Sequence, residues 1–123
     1  MPRALVFHDP VELAGRIRRA LGQRSDIAEK SMFGGICFLH RGNMLCGTAK
    51  QGFMFRVGKD QNDAALRRRG ARPMDFTGRP MAGFVWVDPA SCDAQALKRW
   101  IALSERYVAG LPPKKVRAPG KRA

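Results

Sequence analysis

Acidic residues are scarce in this sequence, and long apolar runs are missing altogether. Ten aspartates and glutamates stand against 23 lysines and arginines in 123 residues, which gives a formal net charge of +13. No apolar stretch approaches the roughly 18 residues that cross a membrane, and Met1–Phe7 lacks the apolar segment of a secretion signal. We therefore expect a cytoplasmic chain that has no membrane partner and attracts phosphate polymers.

Cysteine and histidine, the usual redox residues and metal ligands, are also few. The three cysteines Cys37, Cys46 and Cys92 are an odd number at wide spacing, and no C-x-x-C motif occurs. Neither His8 nor His40 stands at metal-ligand spacing from a cysteine pair. These residues exclude a disulfide framework and predict a reducing compartment, with neither a metal site nor a cofactor.

One cysteine pair allows two interpretations. If the loop of a hairpin is Arg41-Gly42, Cys37 faces Cys46 in a non-hydrogen-bonded pair, where side chains come closest. That placement suits a redox switch. Alternatively, both cysteines are small reduced residues of the core.

Catalytic motifs are absent as well. Ser31, Ser91 and Ser104 lie in no nucleophile motif. The sequence holds no H-E-x-x-H, no G-x-x-x-x-G-K-[ST] loop and no G-x-G-x-x-G. Two histidines leave few candidates for a Ser/His/Asp or Cys/His site. We expect a protein that is not an enzyme and has no catalytic residue.

What remains is the composition of one small globular domain. Hydrophobic residues make up 45% and charged residues 27% of the chain, and this length suffices for one core. We place the folded domain at residues 1–110. The segment 111–123 has five basic residues, no acidic residue and three prolines, so we predict a flexible basic tail there.

Two amphipathic helices are predicted near the ends of the domain. The first begins after Asp9, a capping residue, and ends at Gly22. The second runs from Ser91 or Asp93 to about Ala109. The inward-facing residues are predicted to be Val11, Ala14, Ile17 and Leu21 in the first helix and Leu97, Trp100, Ile101, Ser104, Tyr107 and Val108 in the second.

Between these helices the hydrophobic period changes to that of β-strands. The predicted strands are Phe33–His40, Met44–Ala49, Phe53–Val57 and Gly83–Val87, with a short helix over Asp60–Gly70 that Asp60 caps. The first three strands form an antiparallel meander, and the fourth is a C-terminal strand. The predicted fold class is α+β, an antiparallel β-sheet with flanking N- and C-terminal helices packed mainly on one face.

The basic residues supply the first candidate site. Four arginines lie at the end of the short helix and just beyond it, and five more basic residues lie in the tail. Together they suit contacts with DNA phosphates that carry no sequence preference. Alternatively, cations in the last turn of a helix complement its dipole without any ligand. The nucleic-acid candidates are Arg67, Arg68, Arg69, Arg72, Lys114, Lys115, Arg117, Lys121 and Arg122.

A second candidate site centres on Arg56. This arginine lies in a predicted strand, on the face opposite Phe53 and Phe55, where a charge is exposed or paired with a carboxylate. If the segment Pro73–Gly78 crosses that strand, Asp75 is the partner. The alternative function is a small-molecule or anion-binding domain, or a cryptic enzyme, that uses Arg56, Asp75, Thr77 and Arg79.

Several segments together resemble the N-terminal domain of the TfoX/Sxy family of bacterial competence regulators. They are Lys30-Ser31-Met32-Phe33-Gly34-Gly35, Phe55-Arg56-Val57-Gly58, Arg72-Pro73-Met74-Asp75-Phe76-Thr77-Gly78-Arg79-Pro80-Met81 and Val85-Trp86-Val87-Asp88-Pro89, with Gly42 and Trp100. The resemblance covers about Val11 to Pro113. It implies a compact α+β domain with a central antiparallel sheet, and it supplies no catalytic residue or cofactor.

The resemblance also implies a role in regulation. In the name-giving members this domain is joined to a C-terminal helical domain, and the whole protein promotes expression of DNA-uptake genes. The present sequence ends soon after Pro113, so we expect a stand-alone domain that acts as a regulatory or adaptor module. Its expected partners are DNA and transcription proteins, and a homodimer formed through an exposed sheet edge or apolar face is a further expectation.

Overall fold

The computed structural model describes residues 8–32, 34–75 and 80–113. Among these residues no helix has the length and apolar character needed to cross a membrane. The helices are α1 (Pro10–Leu21), α2 (Asn62–Leu66) and α3 (Ala94–Val108), and single 3₁₀ turns cover Lys59–Gln61 and Pro89–Ser91. The strands are β1 (Ile27–Met32), β2 (Gly35–His40), β3 (Asn43–Ala49), β4 (Gly52–Arg56), β5 (Ala71–Asp75) and β6 (Pro80–Val87).

The six strands form one antiparallel sheet in the order β1-β2-β3-β4-β6-β5. The first four strands follow one another as a meander. After β4 the chain passes through α2 to the far edge as β5, and then returns as β6 between β5 and β4. The predicted α+β class with an antiparallel sheet is confirmed.

Helices α1 and α3 pack on the same face of the sheet. The main core lies between them and the strands, and it includes Phe38, Phe53 and Phe55. The ring of Trp100 in α3 stacks on the ring of Phe55 with centroids 5.2 Å apart. Stacked aromatic pairs of this kind stabilise a core beyond their buried area. The prediction that the terminal helix covers the sheet is therefore confirmed.

The opposite face of the sheet carries a second, smaller apolar cluster. Its buried members are Cys37, Ala49, Met54, Met74 and Trp86. Alternate residues of a strand point to opposite faces, so a strand buried on both faces is apolar at every position. This explains the continuous apolar sequence Ile36–Leu39 within β2, where Cys37 joins the smaller cluster and Phe38 joins the main core.

The predicted ends of α1 and α3 are confirmed, but not every predicted inward position. Asp9 caps α1 by accepting a hydrogen bond from the Val11 amide. Val11 itself is 63% exposed. In α3, Tyr107 is 37% exposed, whereas the unpredicted Leu103 is buried.

The edge strand β1 was not predicted. The predicted strand Phe33–His40 begins instead at Gly35, and Gly34 lies in the turn that joins β2 to β1. Phe33 lies outside the described residues. β1 pairs with β2, but its central residues are exposed on both faces and its sequence is IAEKSM. It therefore lacks the alternation of apolar and polar residues from which a strand is predicted.

The predicted pairing of Cys37 with Cys46 is wrong. The loop is Arg41-Gly42 as expected, but the register shifts between Phe38 and Leu39, so Cys46 faces Phe38 and Cys37 faces Gly47. A β-bulge adds one residue to a strand and causes such a shift. Cys37 and Cys46 belong to different clusters on the two faces. All three cysteines are free and buried, and burial raises the pKa of the Cys46 thiol far above its usual range.

Candidate nucleic-acid interface and neighbouring clusters

The arginines after α2 lie outside the helix. The predicted helix Asp60–Gly70 is shorter than expected: α2 ends at Leu66, and Asp60 lies in the preceding 3₁₀ turn and does not cap α2. Arg67, Arg68 and Arg69 follow in a turn that closes at Gly70, which has a φ of 81°. The last turn of α2 contains no basic residue, so the predicted place of these arginines within that turn is wrong.

Two of these arginines meet α3 at a shallow groove. Arg68, Arg69 and Arg99 line a depression of about 270 Å³ beside the first turns of α3. The guanidinium of Arg68 lies 5.3 Å from the centre of the Trp100 ring, a cation–π distance. All three arginines are exposed, and none forms an ion pair with a described residue. We call this surface, with Ser91, Asp93, Ala96 and Trp100, the arginine groove.

Arg72, predicted to belong to the same cluster, faces the other side of the sheet. It lies on β5 opposite Trp86, and its guanidinium is 6.0 Å from the Trp86 ring. Its Nη2 donates a 2.8 Å hydrogen bond to the Gln51 carbonyl. Trp86 belongs to the smaller cluster and Trp100 to the main core, so Arg72 and Arg68 lie on opposite faces. Arg67 is exposed, and Lys114, Lys115, Arg117, Lys121 and Arg122 lie outside the described residues.

Arg56 is also only partly where the sequence placed it. It ends β4, on the face opposite Phe53 and Phe55 as predicted, but its described contacts are the rings of Phe84 and Tyr107 and the Met44 carbonyl. The segment that carries Asp75 pairs with β6, which separates it from β4. Asp75 is described by its backbone alone, and Thr77 and Arg79 lie outside the described residues, so their part in a ligand site stays a prediction.

A charge cluster that the sequence analysis missed joins three elements. Arg24 Nη2 lies 2.7 Å from Asp26 Oδ2 and 2.5 Å from Glu105 Oε2. The buried His40 places its Nε2 3.2 Å from Asp26 Oδ2. Hydrogen bonding to Arg24 lowers the pKa of Asp26 to about 2 and lowers that of Glu105. The members lie up to 81 residues apart, so no local spacing could have indicated them.

This cluster has the residue types of a metal site but is organised around an arginine. Donor atoms of Asp26, His40 and Glu105 lie within 4.8 Å of one another. Both carboxylates, however, already accept two hydrogen bonds each from the Arg24 guanidinium. A guanidinium held by two carboxylates is a stable structural arrangement in its own right. We interpret the cluster as an ion-pair network that joins α3 to the segment before β1.

The family model described as the TfoX N-terminal domain matches residues 19–107 of the chain. The chain belongs to the TfoX N-terminal domain family. The resemblance drawn from the sequence motifs is thus confirmed. Neither a curated protein nor a solved structure matches the chain.

The match places the described clusters within the family domain. Residues 19–107 contain the arginine groove, Arg56 and the Arg24 network. Membership of the TfoX N-terminal domain family indicates a regulatory or competence-related domain at most, and this family is not known as an enzyme family. The five basic candidates beyond residue 113 lie outside the matched range.

Proposed function

We propose that this TfoX N-terminal domain is a non-enzymatic regulatory module that contacts DNA through the arginine groove. The observation that carries the proposal is the meeting of Arg68, Arg69 and Arg99 on one exposed surface. Side chains from two segments about 30 residues apart in sequence converge there. An unpaired cation keeps its full attraction for phosphate, whereas one paired with a carboxylate does not.

The groove suits the DNA backbone rather than base edges. Its described cations are exposed side chains beside the first turns of α3, where they can reach backbone phosphates. Arginine contacts to phosphate give affinity and strong salt dependence without reading sequence. Sequence choice would then come from transcription proteins, for which the module acts as an adaptor. The basic residues of the tail would add phosphate contacts to those of the groove.

The experiment that tests this proposal measures DNA affinity against salt concentration. The purified chain is titrated into a fluorescent duplex of mixed sequence, and anisotropy gives the slope of log affinity against log salt. In the variant Arg69→Gln/Arg99→Gln two cations of the groove are neutralised and the contact between Arg68 and Trp100 is kept. We expect the slope to become shallower by about 1.8, because each lost phosphate contact removes about 0.9.

The matched control is Arg19→Gln/Lys30→Gln, which makes the same change of net charge on exposed residues of α1 and β1. We expect this control to shift the slope by much less than the groove variant. Equal effects of the two variants would show that only the overall charge attracts DNA. That result, or no binding of the wild-type chain at physiological salt, would overturn the proposal.

A further inference from the structure

We propose that the TfoX N-terminal domain also binds a small phosphorylated anion, in a cleft at the end of β4 that is separate from the arginine groove. The cleft has a volume of about 740 Å³, within the range of small-molecule sites. It lies between the chain that leaves β4, the middle of β6 and the last turns of α3. The residues that carry the argument are Arg56, Gly58, Lys59, Gly83, Arg106 and Tyr107.

Arg56 is the group that would hold the anion. Its guanidinium carbon lies 5.6 Å from the centre of the Phe84 ring and 5.5 Å from that of Tyr107. Contacts with two rings orient the planar group without using its N–H donors. The described protein acceptor is the Met44 carbonyl, at the long distance of 3.5 Å. Most of the five N–H donors of an arginine therefore have no acceptor among the described residues.

The charge of the cleft is positive and not compensated. Lys59 and Arg106 stand beside Arg56, and Asp60 is the one acidic residue among the described residues of the lining. None of these three basic side chains forms an ion pair with a described residue. Like charges that share a cleft repel one another, and an anion placed between them removes that repulsion. A ligand with two negative charges fits three cations and one carboxylate best.

The backbone of the cleft is held in place and is free of obstructing side chains. Gly58 has a φ of 86°, and a Cβ there would lie 2.5 Å from the Tyr107 ring. A Cβ at Gly83 would lie 3.1 Å from Gly58. The amides of Val57 and Gly58 both donate to the Gly83 carbonyl. Because this part of the backbone is already ordered, binding of a ligand carries a smaller entropic cost.

These features favour a phosphate monoester. A doubly charged phosphate matches the forked donors of arginine better than a chloride or a single carboxylate does. The volume exceeds what a bare phosphate fills, so an organic group beyond the phosphate has room. The cleft shares α3 with the arginine groove, but Arg106 is seven residues from Arg99, which is about 10 Å along the helix. The two surfaces can therefore be tested separately.

The test is an NMR titration of the isotope-labelled full chain at constant ionic strength. Inorganic phosphate is the first probe and adenosine monophosphate is the second. We expect saturable shifts of the backbone amides that are confined to residues 56–61, 82–84 and 103–107. Tighter binding of the nucleotide would identify a phosphorylated organic ligand, and equal binding would identify phosphate itself. Shifts spread over all basic surfaces, or none, would overturn the proposal.

Variants make the test specific. Arg56→Gln should weaken phosphate binding about tenfold or more, since a charge-assisted hydrogen bond is lost. Arg56→Lys keeps the charge but not the forked donors, and it should weaken binding by a smaller factor. Lys59→Gln changes an exposed residue and should weaken binding a few-fold, so it serves if the Arg56 variants fail to fold. The control Arg19→Gln should leave affinity unchanged.

The same variants distinguish this site from the DNA surface. If Arg56→Gln flattens the DNA salt slope as Arg69→Gln/Arg99→Gln does, while phosphate causes no local shifts, the cleft belongs to the DNA surface and the ligand proposal is wrong. If phosphate binds locally and the slope for DNA is unchanged in Arg56→Gln, the ligand site is independent. Failure of DNA binding alone leaves the phosphate result standing.

Discussion

The arginine side chains of this molecule have several kinds of neighbour, and net charge alone does not distinguish them. Arg16 donates hydrogen bonds to the carbonyls of Pro89 and Cys92 and lies 5.0 Å from the Phe53 ring. Arg24 is held by two carboxylates. The excess of 13 positive charges therefore overstates the cationic surface that a ligand can reach. Contacts, residue by residue, decide which arginines are available.

The Arg24 network predicts a loss of stability in acid. The pKa of Asp26 is lowered from 3.8 to about 2 and that of Glu105 is lowered from 4.5, because both accept hydrogen bonds from Arg24. A carboxyl whose pKa is lower in the folded state stabilises the fold above its unfolded pKa, and this stability is lost as the pH falls through the folded pKa. We expect the free energy of unfolding to fall between about pH 5 and pH 2.

The variant Glu105→Gln tests this network directly. It removes one carboxylate from a partly buried pair, so we expect a loss of about 1 kcal/mol at pH 7. The decrease in stability between pH 5 and pH 2 should also be smaller than in the wild type, because Glu105 no longer titrates. Urea unfolding at several pH values measures both effects. Asp60→Asn, at an exposed position of the 3₁₀ turn Lys59–Gln61, is the control, and equal losses in the two variants would contradict the prediction.

At the scale of elements, the helices with a strong amphipathic pattern were predicted correctly, whereas a strand with a weak pattern was missed. The caps and the apolar period of α1 and α3 placed both helices to within a few residues. β1 carries exposed residues at its centre, so burial left no pattern in its sequence. The bulge near Phe38 shifts the register between β2 and β3, and counting the residues of the loop cannot predict such a shift.

The candidate sites show the same limit. Arg56 was singled out because a charge in the middle of an apolar strand is unusual, and that local signal was sound. Its neighbour Tyr107 is 51 residues away on α3, and only the packing of α3 on the sheet brings the two together. Arg68 and Arg99 likewise meet through tertiary contact. Composition indicated that basic surfaces exist but could not place them.

The β1–β2 hairpin gives a matched pair of glycine substitutions. A Cβ at Gly35 would lie 1.7 Å from the Thr48 carbonyl oxygen on β3, whereas a Cβ at Gly34 would meet no atom of the other described residues within 4 Å. Gly34 has a φ of 73°, so Gly34→Ala should cost about 1 kcal/mol from backbone strain alone. Gly35→Ala should cost about 3 kcal/mol or more, because the strands must separate.

Thermal or urea unfolding of the two variants compares these costs. The two substitutions add the same methyl group at neighbouring positions of one hairpin, exposed at Gly34 and buried at Gly35. A Gly35→Ala variant as stable as Gly34→Ala would show that β2 and β3 do not approach each other so closely at this point. It would also remove the steric reason for glycine at the start of β2.

At the scale of the whole molecule, the sheet has one layer of helices and two buried faces. α1 and α3 cover the main core, while Trp86 and Met54 are buried on the other side. The central strands β3, β4 and β6 are therefore enclosed by neighbours in the plane of the sheet and by packing on both faces. Both edge strands are polar where they meet solvent: β1 has Glu29 and Lys30, and β5 has Arg72 and Pro73, residues that discourage pairing with another strand.

This arrangement predicts a gradient of hydrogen exchange across the sheet. Amides of β4 that pair with β3 and β6 open only when the whole fold opens, whereas those of β1 can be released by separation from β2 alone. We expect exchange in β4 to be slower than in β1 by about a hundredfold or more, as native-state exchange followed by mass spectrometry can measure.

The measurement is repeated at two protein concentrations about tenfold apart, since a second copy paired with β1 would protect that edge only at the higher one. Protection of β1 that rises with concentration would support the homodimer expected from the sequence. Protection of β1 equal to that of β4 at both concentrations would contradict the placement of β1 at an open edge.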